Sequence, residues 1–165
     1  MILGYLFVNR VQREKVPTQL REREEQLSLA VQAANIGFFD RDVVKDEMHI
    51  SSEWKHQLGY EDDEIQNDDH EWEIRLHPED KDNTLKTIQA ALEGDDNSYE
   101  EIFRLRHKDG TYRWILSRGM ILRDQDGKAL QVIGCHVDIT EQKEYELELS
   151  ASERRFRSLA ESSQD

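Results

Sequence analysis

The sequence predicts an α+β domain: a five-stranded antiparallel sheet with short helices on one face, flanked by a helix at each end. Three observations predict it. Residues 98–107, 111–123 and 129–139 are strand-like runs separated by Asp109-Gly110 and Asp126-Gly127, and an Asp-Gly pair supplies the positive φ a tight hairpin turn needs. Two shorter strand-like runs, at 36–43 and 47–51, complete the sheet. Apolar residues recur at helical spacing before and after this block, over 17–35 and from 140 onward.

The elements follow in order. Met1 to Val8 is almost wholly apolar and gives way to Arg10, Arg13 and Lys15. Eight helical residues span about 12 Å against a bilayer core of about 30 Å, so the segment cannot cross a membrane alone. It reads as the end of a membrane helix with its basic flank over 1–16, with a weak amphipathic helix or a fragment end as the alternatives. In 17–35, Leu20, Leu27, Val31 and Ala34 form a narrow stripe suited to a partner helix. Gly37 ends that pattern, and Lys45-Asp46 turns the first strand into the second. Ser51 and Ser52 are N-cap types before a short helix at 53–58, closed by Gly59. Residues 62–72 read as broken helical pieces. His77-Pro78-Glu79-Asp80 is a helix start, with proline in the first turn and acids at the positive end of the dipole. Leu85, Ile88, Ala91 and Leu92 carry that helix to Gly94. Beyond Thr140, Gln142, Leu149 and Phe156 fall seven apart, as do Tyr145, Ser152 and Leu159. This weak heptad is more credible paired than alone.

The chain of 165 residues carries a net charge of −14, with 35% charged and 36% apolar residues. Sixteen acids stand against Arg75, Lys81 and Lys86 between Glu61 and Glu101. This balance excludes nucleic acid as a partner, because phosphate binding needs clustered Lys and Arg. The acidic stretch reads as a solvated face, or as a docking surface for a basic partner. Cys135 is the single cysteine, so no internal disulfide forms and a reducing compartment is expected.

Several motifs come together in one order. They are Tyr99-Glu-Glu-Ile-Phe-Arg104-Leu-Arg, Lys108-Asp-Gly110-Thr-Tyr-Arg-Trp114, Arg123-Asp-Gln-Asp-Gly127, Gly134 and Asp138-Ile-Thr140. Upstream stand Ala34-Asn-Ile-Gly-Phe38, Leu58-Gly-Tyr60 and His77-Pro-Glu-Asp80. Over about residues 28–140 the chain resembles a PAS domain with its C-terminal PAC segment, of the kind common in bacterial sensor proteins. Ser152-Glu-Arg-Arg-Phe-Arg-Ser-Leu159 resembles the lead-in helix of a second PAS domain, and Arg21-Glu-Arg-Glu-Glu-Gln-Leu27 is a looser copy. The resemblance implies a linker helix over 17–35, the sensor domain over 36–140, and a coiled-coil linker with the start of the next domain over 141–165. It also implies a longer membrane-attached receptor. The sensor would lie on the cytoplasmic side of the inner membrane, with a histidine kinase or cyclic-dinucleotide enzyme as output. Its expected partners are a second copy through the flanking helices, a downstream PAS or output domain, and a small-molecule ligand. The alternative is a ligand-free dimerisation and relay module.

The residues themselves offer no catalytic chemistry. No glycine spacing gives a P-loop or dinucleotide fingerprint, and Gly-x-Ser-x-Gly is absent. The six histidines show no paired ligand spacing. PAS domains can hold flavin or haem. Cys135 is on the last strand rather than a helix, which argues against the covalently photoreactive flavin type. The long helix contains no His, which argues against haem, and His77 reads as a helix-start residue. Candidate pocket residues are Phe38, Trp54, Leu58, Trp72, Leu85, Ile88, Phe103, Trp114, Leu116, Cys135 and Val137, with plain core packing as the competing role. A one-residue slip in strand parity would exchange inward and outward side chains. Asp138, Ile139 and Thr140 stand where the sheet meets the outgoing helix. They are expected to couple the two, or simply to cap the helix.

Overall fold

A computed structural model describes residues 18–30, 33–68 and 70–162. The expected membrane-helix end and its basic flank, residues 1–16, lie outside these residues. Residues 18–30 form helix α1, whose Leu20 and Leu27 are exposed and whose Arg21 pairs with Glu25 one turn on. From Ile36 the order is β1 (Ile36–Asp42), β2 (Glu47–Ile50), α2 (Ser52–Gln57), α3 (His70–Glu73), α4 (Pro78–Glu93), β3 (Ser98–Arg106), β4 (Tyr112–Arg123), β5 (Ala129–Asp138) and α5 (Thr140–Ser162). The five strands form one antiparallel sheet in the order β2-β1-β5-β4-β3.

Local chemistry fixes the junctions. Ser51 Oγ accepts from the Trp54 N–H and caps α2. Pro78 opens α4, and the His77 Nδ1 accepts from the Glu79 N–H at 3.2 Å. The two Asp-Gly turns work differently from the sequence expectation. Only the glycines take positive φ, +88° at Gly110 and +82° at Gly127. Asp109 Oδ1 instead accepts from both the N–H and the hydroxyl of Thr111, and Asp124 Oδ1 accepts from the N–H groups of Asp126 and Lys128. These side-chain turns make wider hairpins than a two-residue loop.

The core lies between one sheet face and the helices. Trp54, Leu58, Phe103, Leu105 and Ile115 are each 1% exposed. Their burial contributes about 1.5–3 kcal/mol apiece. Arg104 fastens the start of α4 to β3. Its guanidinium donates to both Asp80 carboxylate oxygens at 2.6 and 2.8 Å and to Glu79 at 2.9 Å. Its backbone N–H reaches Asp80 as well.

Strand parity corrects five of the expected pocket residues. Phe38, Trp114, Leu116, Cys135 and Val137 point away from the helices, and Phe39, Ile115, Ser117, Val132 and His136 point toward them. The reason is the close seat of α2 on β1: a Cβ at Gly37 would stand 2.7 Å from Trp54 Cα. Gly37 therefore faces α2, and Phe39 follows on the same side.

Candidate functional site

The inner face encloses a cavity of about 30 Å³. Phe39 and Met48 border it from the first hairpin, Trp72 and Ile88 from the helices, and Phe103, Ser117 and His136 from the central strands. Among the expected pocket residues, Trp72, Ile88 and Phe103 meet here. Trp54, Leu58 and Leu85 belong to the packed core around it. Phe38 and Cys135 instead line a groove on the opposite face with Met120 and Ile133.

His136 is the polar centre of the inner site. Its ring lies 5.2 Å from that of Phe39, 5.5 Å from Phe103 and 5.8 Å from Trp54. Burial alone drives its pKa down to about 3, so the imidazole is neutral. Its backbone oxygen accepts from Gln57 Nε2 at 3.1 Å, which ties β5 to α2. Ser117 is paired directly across from it in the β4–β5 register. Ser117 is 1% exposed, and its Oγ has no hydrogen-bond partner among the described residues. The sequence hid this face. Along β5 the outward set Ile133, Cys135, Val137 is more apolar than the inward set Val132, Gly134, His136, so hydrophobicity alone selects the wrong parity.

Gly134 and Gly119 are cross-strand neighbours in the middle of the sheet. A Cβ at Gly134 would meet the Phe39 ring at 2.3 Å, and one at Gly119 would meet the Tyr99 ring at 2.2 Å. Two aromatic rings thus occupy the space the glycines leave. The cavity lies on one side of them and the groove of Phe38 and Met120 on the other, with Tyr99 bordering both.

The sheet–helix junction is a compact network. Thr140 Oγ1 accepts from the Trp114 N–H at 2.9 Å and donates to Asp138 Oδ1. The same carboxylate oxygen accepts from the Thr140 N–H at 2.9 Å, and the Ile139 N–H donates to the Trp114 carbonyl at 2.8 Å. One carboxylate and one hydroxyl therefore tie β4, β5 and the first turn of α5 together. Trp114 also carries the Arg104 guanidinium 5.0 Å from its ring centre, which continues the link to α4. Beyond Thr140 nearly all of α5 is exposed, including Tyr145, Leu149, Phe156 and Leu159.

The family model for the PAS fold matches residues 47–136. The chain belongs to the PAS fold family. A sensory box histidine kinase/response regulator structure from Burkholderia thailandensis superposes with a TM-score of 0.69 at 32% identity, over 81% of this chain and 98% of that one. The peroxide stress-activated histidine kinase mak1 of Schizosaccharomyces pombe is 38% identical over 95 residues, 54% of this chain and 6% of its own length. A blue-light-activated histidine kinase of Brucella anthropi is 28% identical over 144 residues, 87% of this chain and 28% of its own length. The PAS module thus spans a small part of these curated relatives. It is a sensory, signal-transduction module.

The cavity of this PAS domain is smaller than the pockets that hold ligands the size of flavin or haem. Pockets for drug-sized ligands run to about 300–1,000 Å³, against about 30 Å³ here. Cys135 borders the outer groove, not the cavity, and α4 carries no His. His77 stands at the N-cap of α4 with its ring against Tyr112. Among the described residues no group of three or more His, Cys, Asp and Glu is placed to hold a metal ion. No helix among them is long and apolar enough to cross a membrane.

Proposed function

We propose that this PAS domain is the input module of a membrane-attached receptor of the histidine kinase class. It performs no chemistry itself. It converts a change in the sheet into a change at the start of α5, which pairs with the same helix of a second copy and leads to a downstream PAS or output domain. The observation that carries this reading is the shared use of Asp138 Oδ1 and Thr140 Oγ1 by two strands and a helix. A distortion of β4 or β5 cannot leave that helix start unchanged, because the same two atoms satisfy all three elements. The kinase relatives support the choice of output. The tight core and small cavity favour a second reading, in which the domain relays an upstream signal with no ligand of its own.

The test is hydrogen exchange on the chain carrying Thr140→Val, which keeps the shape and deletes the hydroxyl. The relay reading expects faster exchange over residues 139–143 and in β4 near Trp114, with α2, α4 and the rest of the core unchanged. Faster exchange confined to α5 would reduce the motif to an ordinary helix cap.

A further inference from the structure

We propose that the inner cavity takes a neutral molecule of roughly two to four heavy atoms, carrying one hydroxyl or carbonyl oxygen held between Ser117 and His136. The inference rests on the proposed role of the domain as an input module, takes the inner cavity as the place where that input enters, and names the class of ligand; the ligand-free second reading is its rival.

Size sets the first limit. A water molecule needs about 10–15 Å³ of such space, and the cavity offers about 30 Å³. Charge sets the second. His136 is neutral, so no positive charge waits in the depth of the site for an anion. Arg41 is the charged side chain among the lining residues, and its guanidinium engages Asp46 at 3.3 Å. No carboxylate lines the cavity among the described residues, so a cation has no partner either. A cation would lose its hydration without compensation, and an anion would have to draw on the Arg41 guanidinium, which already engages Asp46.

Hydrogen bonding sets the third limit. Ser117 and His136 sit directly opposite each other on adjacent strands and on the same face. Their Cβ atoms are then about 5 Å apart, so one oxygen atom reaches both side chains. The Ser117 hydroxyl donates and accepts, and a neutral imidazole has one donor and one acceptor. A ligand hydroxyl satisfies both groups at once, and a carbonyl oxygen accepts from both. The remaining walls, including Phe39, Ile88, Phe103 and Val132, suit a short apolar tail. Ser117 has no hydrogen-bond partner within the described protein, so it gains one on binding and gives none up.

The experiment is a methyl-detected NMR titration of the full chain with ethanol and acetone, and with acetate and methylammonium as charged counterparts. The neutral probes are expected to give saturable shifts at Met48, Ile88 and Val132. The charged ones should give none at equal concentration. Ser117→Ala should weaken ethanol binding about fivefold, the loss of one neutral hydrogen bond. The variant removes a buried unpaired hydroxyl and keeps the fold. Met120→Ala, on the outer face, should bind as the parent chain does. Absence of saturable shifts with both neutral probes, an equal response to acetate, or unaltered binding by Ser117→Ala would each overturn the proposal. None of these outcomes touches the Thr140→Val exchange experiment, which judges the relay separately.

Discussion

His136 is neutral when folded and takes up a proton near pH 6.5 once the chain unfolds. Between pH 6.5 and about pH 3 the unfolded chain therefore binds more protons than the folded one. Stability is lost as pH falls through that window. Acidification from pH 7 to pH 5 should cost about 2 kcal/mol through this group. Urea unfolding at the two pH values measures it, and His136→Phe should remove most of the difference. The ordered glycines make a second residue-level prediction. Gly134→Ala should destabilise by about 1–3 kcal/mol, because its methyl would press on both the Phe39 ring and the Arg118 carbonyl. Thermal or urea unfolding reads that loss directly.

At the scale of elements, Arg104 joins β3 to the start of α4 through Asp80 and Glu79. Arg104 holds the Asp80 carboxyl below its ordinary pKa through direct hydrogen bonds. This contribution is full above the ordinary aspartate range and is lost as pH falls through the lower folded value. Asp80→Asn should cost about 1–2 kcal/mol near neutral pH, a modest figure because both side chains keep some contact with water. The double variant with Arg104→Met should cost less than the two single changes added. The elements themselves were legible in the sequence, because Asp-Gly turns, Ser51 and His77-Pro78 punctuate the chain through local chemistry. The face of the sheet was not. Phe38 beside Phe39 and Ile115 beside Leu116 put apolar groups on both parities, and only the seat of α2 against Gly37 decides between them. His136 and Ser117 went unnoticed because a polar residue in a strand reads as outward. The Asp138–Thr140 network was visible because capping is a short-range interaction that tertiary packing does not reassign.

At the scale of the whole molecule, the proposed pairing with a partner helix rests on the apolar face of α5. Exposed Leu149, Phe156 and Leu159 on α5 have no cover within the described residues. We expect a concentration-dependent dimer by light scattering, and Leu149→Asp with Phe156→Asp should hold the chain as a monomer while leaving the sheet's spectrum intact. The net charge of −14 opposes that pairing. Raising salt from about 0.05 to about 0.3 M should tighten the dimer, because it shortens the reach of the repulsion. The glycine pair at the centre of the sheet bears on how such a molecule transmits anything at all. At Gly119 and Gly134 the Tyr99 and Phe39 rings rest directly on the backbone of the sheet, and Tyr99 borders both the inner cavity and the outer groove. With the rings bearing on the backbone itself, the relay proposed above would use the sheet as a diaphragm: a ring displaced on one side would alter the curvature presented on the other.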